Sequence, residues 1–242
     1  MGEPILAVEN VSKRFGGVKA VDGVSFSVAR GEILGVIGPN GAGKSTLFGL
    51  ISGFIPPDTG SVRFQGQDLA GQAPHRIAAR GLSRSFQIVQ VFSEMTVLET
   101  VITAALLRHD MRGAEKRAHE VLDAVGLTSR ANRDPVSLTL QDKKLLELAK
   151  CIATEPSLLL LDEVMAGLTL AEAEVPLRII SRLRAEGLTC VLVEHVMPIV
   201  MKTVDRMAVL NVGGKVAEGS IAEVIADPDV KAAYFGEEPG DA

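Results

Sequence analysis

The stretch Gly38-Pro39-Asn40-Gly41-Ala42-Gly43-Lys44-Ser45 limits what this chain can fold into more than any other. It fits G-x-x-x-x-G-K-[ST], with Thr46 following, and it stands in the setting that this pattern requires. Ile33 to Ile37 is a short apolar run that reads as a buried strand, and Leu47, Phe48, Leu50 and Ile51 recur at helical spacing. Strand, glycine loop and helix bring successive backbone N–H groups and a helix N-terminus onto one anion. The glycines let the backbone close around phosphate, Lys44 adds a point charge at the β/γ-phosphates, and Ser45 offers a hydroxyl to Mg2+. The expectation is a nucleoside triphosphate held by residues 38–46.

With 242 residues, 47% of them apolar, the chain suffices for one large α/β domain or two small ones, which argues against wholesale disorder. The net charge of −5 comes without a block of like charge, so a dedicated nucleic-acid binder, which needs a basic face, is disfavoured. Cys151 falls in a helical pattern and Cys190 in an apolar strand pattern, as two buried thiols in a reducing cytosol would. Met1-Gly2-Glu3-Pro4 lacks the start of a signal peptide, and Leu6 occupies the Ser/Thr place of a myristoylation motif. No uncharged apolar run approaches the roughly 18 residues of a membrane span. A soluble cytosolic chain is expected, reaching a membrane only through a partner.

Ile5 to Val8 and Val21 to Val28 read as strands, with Lys13-Arg14-Phe15-Gly16-Gly17 between them. Pro56 to Gly60 is a turn and Ser61 to Phe64 a strand; Pro74 opens a helix that ends before Gly81, and Leu82 to Phe86 is a strand running into Gln87. Helical patterns follow at about 96–107 and 113–125, with Gly126 as a stop. Leu158 to Asp162 resumes the parallel-strand pattern. Thr169 and Glu172 have capping-box spacing at the start of the next helix, in which Pro176 should make a kink. Leu188 to Val193 is another strand. Arg206 to Asn211, Gly213-Gly214 and Lys215 to Ala217 form a terminal hairpin, and Ser220 and Glu223 cap a short helix.

Leu158-Leu159-Leu160-Leu161-Asp162-Glu163 is a buried strand whose carboxylates emerge at its C-terminal end, where ligands of α/β proteins sit. With a phosphate loop upstream, Asp162 is placed to hold Mg2+ and Glu163 to orient or deprotonate the attacking water. On these motifs the chain resembles the nucleotide-binding subunits of ABC transporters over essentially its full length. The resemblance implies an α/β P-loop NTPase core of the ABC ATPase type, with an antiparallel β edge and an inserted helical subdomain. Its boundaries are a core lobe at 1–87 and 156–236 and helices at about 88–155.

The resemblance also places Phe15 where the family stacks an aromatic on adenine; a core phenylalanine is the lesser alternative. Gln87 matches the glutamine that reaches Mg2+ and water as the helical subdomain swings in, and His195, after Val191-Leu192-Val193-Glu194, the histidine bonded to the γ-phosphate. His75, His109 and His119 read as solvated. The family signature L-S-G-G-Q falls on Leu138-Thr139-Leu140-Gln141-Asp142, where Thr139 keeps the hydroxyl, Gln141 stands for a nucleotide-facing glycine and Asp142 replaces glutamine. Asp142 suits a helix N-terminus or repels triphosphate, depending on where it points. Val164 replaces the usual proline, and Thr169 the usual Asp or Asn of the segment that crosses to the partner.

This Leu-Thr-Leu signature, with Arg84-Ser85-Phe86-Gln87, Val91-Phe92 and Met95-Thr96-Val97-Leu98-Glu99, resembles the branched-chain amino acid importer subfamily. The ending from Asp229 to Glu237 also resembles exporter ATPases of the lipopolysaccharide-transport kind; a soluble ABC-type ATPase or a non-hydrolysing regulatory module is a further alternative. The implied assembly is a homo- or heterodimer sandwiching two ATP with Mg2+. It would sit on the cytoplasmic face of the membrane, bound to transmembrane permease subunits and served by a periplasmic or extracellular solute-binding protein. Ile88-Val89-Gln90-Val91-Phe92 is the candidate permease-docking run, or else packs inside the helical subdomain.

Overall fold

The computed structural model describes residues 3–87 and 92–235. In chain order these form β1 (Leu6–Phe15), β2 (Val18–Val28), β3 (Ile33–Ile37), α1 (Lys44–Ile51), β4 (Thr59–Phe64) and β5 (Gln67–Asp68). Then come α2 (Pro74–Ala79), β6 (Leu82–Arg84), α3 (Val97–Ala105), α4 (Met111–Val125), α5 (Leu140–Ala153), β7 (Leu158–Asp162) and α6 (Leu170–Ala185). The chain finishes with β8 (Thr189–Val193), α7 (Met197–Thr203), β9 (Arg206–Asn211), β10 (Gly214–Ser220), α8 (Ile221–Ala226) and α9 (Pro228–Phe235). Two compact units result: one holds the residues up to Pro74 and those from Thr189 on, the other His75–Leu188.

In the first unit, β3 lies parallel to β8 on one edge and to β9 on the other, with Ile33 opposite Cys190 and Leu34 opposite Arg206. Every residue of β3 and β8 is buried, which is why both read as near-continuous apolar runs rather than alternating ones, with Thr189 the one polar residue of β8. β10 returns antiparallel on β9 through the two-residue turn Val212-Gly213, both at positive φ (45° and 81°), a turn that suits the twist of a hairpin. A second, antiparallel sheet runs β2-β1-β4-β5. Here β1 is longer than its apolar alternation suggested. Its register with β2 shifts between Val8 and Val11 and again before Lys13, so the period is lost while the pairing continues to Phe15 opposite Val18.

In the second unit, β6 pairs parallel to β7 (Leu82 with Leu158, Arg84 with Leu160) and ends at Arg84, short of the expected Phe86. Helices α3, α4 and α5 pack together, and Val97, Val101, Ala105, Ala118, Val121, Leu122, Leu145 and Leu148 on them are buried. Gly126 ends α4 in the left-handed conformation (φ 78°), a position where glycine carries no Cβ penalty. Capping boxes form at Thr96/Glu99 and Thr169/Glu172 here, and at Ser220/Glu223 in the first unit. Pro176 does not end α6, which runs as one helix from Leu170 to Ala185. Both cysteines are buried, and burial pushes the Cys190 thiol well above its usual range. No described helix is long and apolar enough to cross a membrane.

Candidate functional site

The phosphate loop of the first unit is fixed by backbone contacts. Gly43 caps α1 at φ 100°, and a Cβ there would stand 2.2 Å from the Ala20 carbonyl oxygen; at Gly38 it would stand 2.3 Å from that of Leu210. Neither position admits a side chain. Gly213 N–H donates to the Ala42 carbonyl at 3.2 Å, and Asp22 N–H donates to Gly213 at 2.8 Å, so the tip of the β9–β10 hairpin braces the loop. Lys44, buried, donates through Nζ to the carbonyls of Gly38 (2.7 Å) and Pro39 (3.0 Å). No side chain caps α1, and its first turn holds no acidic residue. Ser45 is exposed and Thr46 half-buried. The glycine cradle, the cation and the acid-free helix start fit a polyphosphate, and the Ser45 hydroxyl fits the metal that accompanies one.

Phe15 is half exposed at the end of β1, with the Lys13 ammonium 5.7 Å from its ring centre, so the core reading of this side chain fails. Lys13 is itself held by Asp58 at 2.7 Å, and that contact together with the Arg14 N–H keeps the Asp58 carboxyl below its usual range. His195 is exposed just beyond β8 and the buried Glu194. His75 and His119 are exposed, whereas His109, expected to be solvated, meets Glu155 at 3.1 Å.

The second unit brings the remaining acidic and polar candidates together. Asp162, buried at the end of β7, accepts from Arg84 Nη2 at 2.9 Å through Oδ2, and its N–H donates to Ser85 Oγ at 2.9 Å. Glu163 follows in the left-handed region (φ 50°) and accepts from Gln87 Nε2 at 2.6 Å. Lys144 of α5 donates to the carbonyls of Gln87 (3.2 Å) and Glu163 (3.1 Å), and Phe86 N–H donates to Glu147 Oε1 at 3.2 Å. Lys144 and Glu147 went unnoticed in the sequence, and Arg84 was read only as part of a subfamily motif, because charges along a helix or at a strand end ordinarily face water. The one signal for the two helix residues is the spacing of Lys144 and Glu147, three apart, amid Leu145, Leu146 and Leu148.

The signature segment opens α5. Thr139 is its N-cap, accepting from the Asp142 N–H at 3.1 Å, which leaves the hydroxyl proton available to donate. Asp142 points at Arg130, 2.6 Å from Nε. Gln141 Nε2 donates to the Glu172 carbonyl at 3.4 Å, the oxygen that the missing N–H of Pro176 leaves without its helical donor. Leu140 is exposed and lies beside Gly167. Of the run 88–92, residues 88–91 lie outside the described residues, and Phe92 is exposed.

Strand, phosphate cradle and helix, set in parallel sheet, define a P-loop nucleotide-binding protein. More narrowly, the chain belongs to the ABC transporter family, whose pattern matches residues 21–166. It is 38% identical to the high-affinity branched-chain amino acid transport ATP-binding protein BraF of Pseudomonas aeruginosa, over 98% of this chain and all of that one. The same figures hold for LivG of Escherichia coli. Among solved structures it is similar to a nucleotide-free ATP-binding cassette from an ABC transporter, with a TM-score of 0.88 and 32% identity over 97% of this chain and 100% of that one. The ADP conformation of the cassette MJ1267 gives a TM-score of 0.88 and 33% identity over 98% and 100%. The chain is an ATP-binding, ATP-hydrolysing subunit of a membrane transporter.

Proposed function

We propose that this ATPase powers the uptake of branched-chain amino acids or a closely similar small solute. The observation that carries the solute class is the near-full-length similarity to BraF and LivG, both described as high-affinity branched-chain amino acid transport proteins. The working form is a dimer, homo- or heteromeric, on the cytoplasmic face of the membrane. It is bound there to transmembrane permease subunits and supplied by a solute-binding protein outside. Residues 88–155 act as its helical subdomain and Ile88 to Phe92 as the run nearest the permease.

In this reading residues 38–46 hold the triphosphate of ATP, Phe15 stacks on the base, and Thr139 and Gln141 face the nucleotide of the opposite subunit. Glu163 takes a proton from the attacking water, Gln87 orients that carboxylate through the 2.6 Å contact, and His195 bonds the terminal phosphate. Mg2+, for which Ser45, Gln87 and Asp162 are the ligand candidates, supplies neutralisation of the charge that develops on the phosphate oxygens. Glu163→Gln removes the base and no phosphate contact. Turnover should fall at least about 10²-fold while ATP binding persists. In cells lacking the chain, uptake of labelled leucine, isoleucine and valine should be lost, restored by the wild type, and not by Glu163→Gln. Uptake that survives the deletion would remove the solute assignment, and near-normal turnover of the variant would remove Glu163 from the chemistry.

A further inference from the structure

We propose that Lys144 is a positioning residue for the Glu163 carboxylate, an inference that rests on reading Glu163 as the group that activates water. Lys144 lies in the first half of α5, five residues beyond Thr139, and is only 6% exposed. An ammonium has three donors and no acceptor, and two of them go to the carbonyls of Glu163 (3.1 Å) and Gln87 (3.2 Å). These are the same two residues whose side chains meet at 2.6 Å. One cation therefore holds both backbones while the amide–carboxylate bond joins their ends, closing a ring of three residues.

The ring has a task that packing alone does not explain. Glu163 sits at φ 50°, a region sparsely used by residues with a side chain, and such a conformation persists only where its surroundings over-determine it. The charge-assisted bond from Lys144 to its carbonyl, with the Gln87 amide on its carboxylate, supplies that constraint. One turn along the same helix, Glu147 takes the Phe86 N–H with Oε1 while Oε2 is paired with Lys150 at 2.5 Å, so α5 grips Phe86 and Gln87 by adjacent backbone groups. Burying an ammonium is costly, and an apolar side chain of similar volume would fill the space without that cost. What only the cation does is set the aim of the carboxylate, and it does so from the helix that begins with the signature segment.

The test compares Lys144→Met with Lys144→Arg in the purified full-length chain, by steady-state ATPase, nucleotide binding and thermal melting. Lys144→Met should lower kcat by roughly 10- to 100-fold, with KM and nucleotide affinity changed less than about twofold, because a small misplacement of a reacting group acts on the chemical step. Lys144→Arg keeps donors and should recover the rate to within about fivefold. In a Glu163→Gln background, Lys144→Met should cost nothing further, since the group it positions is gone. An unchanged kcat in Lys144→Met, or a loss that multiplies in full on top of Glu163→Gln, overturns the proposal. So does a loss matched by a smaller fraction of chains binding nucleotide and not recovered by arginine, which is the mark of a purely structural lysine. Near-normal turnover in Glu163→Gln alone overturns the reading of Glu163 itself, and shows it without any change at position 144. Lys144→Leu, which likewise removes every donor, takes the place of the methionine variant if that one does not fold, under the same expectations.

Discussion

Helices α1 and α5 both begin at loops that the sequence marks for phosphate, and both N-termini favour an anion through their first amides and the helix dipole. They are completed in opposite ways. At α1 no side chain caps the first turn, no acid is present, and the buried cation Lys44 lies across the loop. At α5 Thr139 caps the first turn and Asp142 is already there as an anion, paired with Arg130. One helix start is left open for a ligand. The other is satisfied from within, and what it can still offer comes from side chains: the Thr139 hydroxyl proton, the half-buried Gln141 and the exposed Leu140. A phosphate site made of backbone and one cation, and a capped segment that can only add contacts to such a site, should respond differently to mutation.

The largest difference should come from Lys44→Ala, with ATP turnover reduced by about 10²- to 10³-fold, as for removal of a preorganised group that meets developing charge. Fluorescent-nucleotide titration should show binding lost as well. Retained affinity would mean that α1 binds phosphate by amides alone. Next is Gly43→Ala. The residue would keep a positive φ with its Cβ 2.2 Å from the Ala20 oxygen, so strain alone should cost about 1–3 kcal/mol and nucleotide binding should fail with it. An unchanged melting temperature would show that the loop relaxes. At the other helix, Thr139→Ala should cost about 0.5–2 kcal/mol in denaturant unfolding, the usual loss of an N-cap, and leave ATP affinity of the isolated subunit unchanged. Should affinity fall there too, the two helix ends are more alike than their caps imply.

These contrasts follow what the sequence made legible. The phosphate loop is contiguous and made of backbone, so eight residues announce it, and Asp162-Glu163 is announced by the four leucines before it. The aim of Asp142 was not legible, because it depends on Arg130, twelve residues upstream in a separate turn. Nor was the bond from Gln141 to Glu172, which exists because Pro176 lacks an N–H. The exposure of Phe15 was hidden for a related reason: register shifts carry β1 past the point where its alternation stops.

The smallest effect concerns the capping box that starts α6. The Thr169 N–H, and after it the Thr169 hydroxyl, hold the Glu172 carboxyl below its usual range. A carboxyl lowered by folding adds stability above its unfolded value, about 4.3, and loses it as pH falls through the lower folded value. The melting-temperature gap between wild type and Glu172→Gln should therefore be full at pH 7 and close progressively below about pH 4.3. A gap that stays constant into acid would assign the cap to the hydroxyl rather than to the charge.

The brace that Gly213 places on Ala42 also sets a timetable. Roughly 170 residues separate the two, and both neighbours of β3 come from the last quarter of the chain. At synthesis rates of about 5–20 residues per second, the phosphate loop waits roughly 9–34 s on the ribosome before the hairpin that steadies it exists. Chains cut short before about residue 214 should carry the whole motif and yet hold no nucleotide, because the brace on Ala42 is missing.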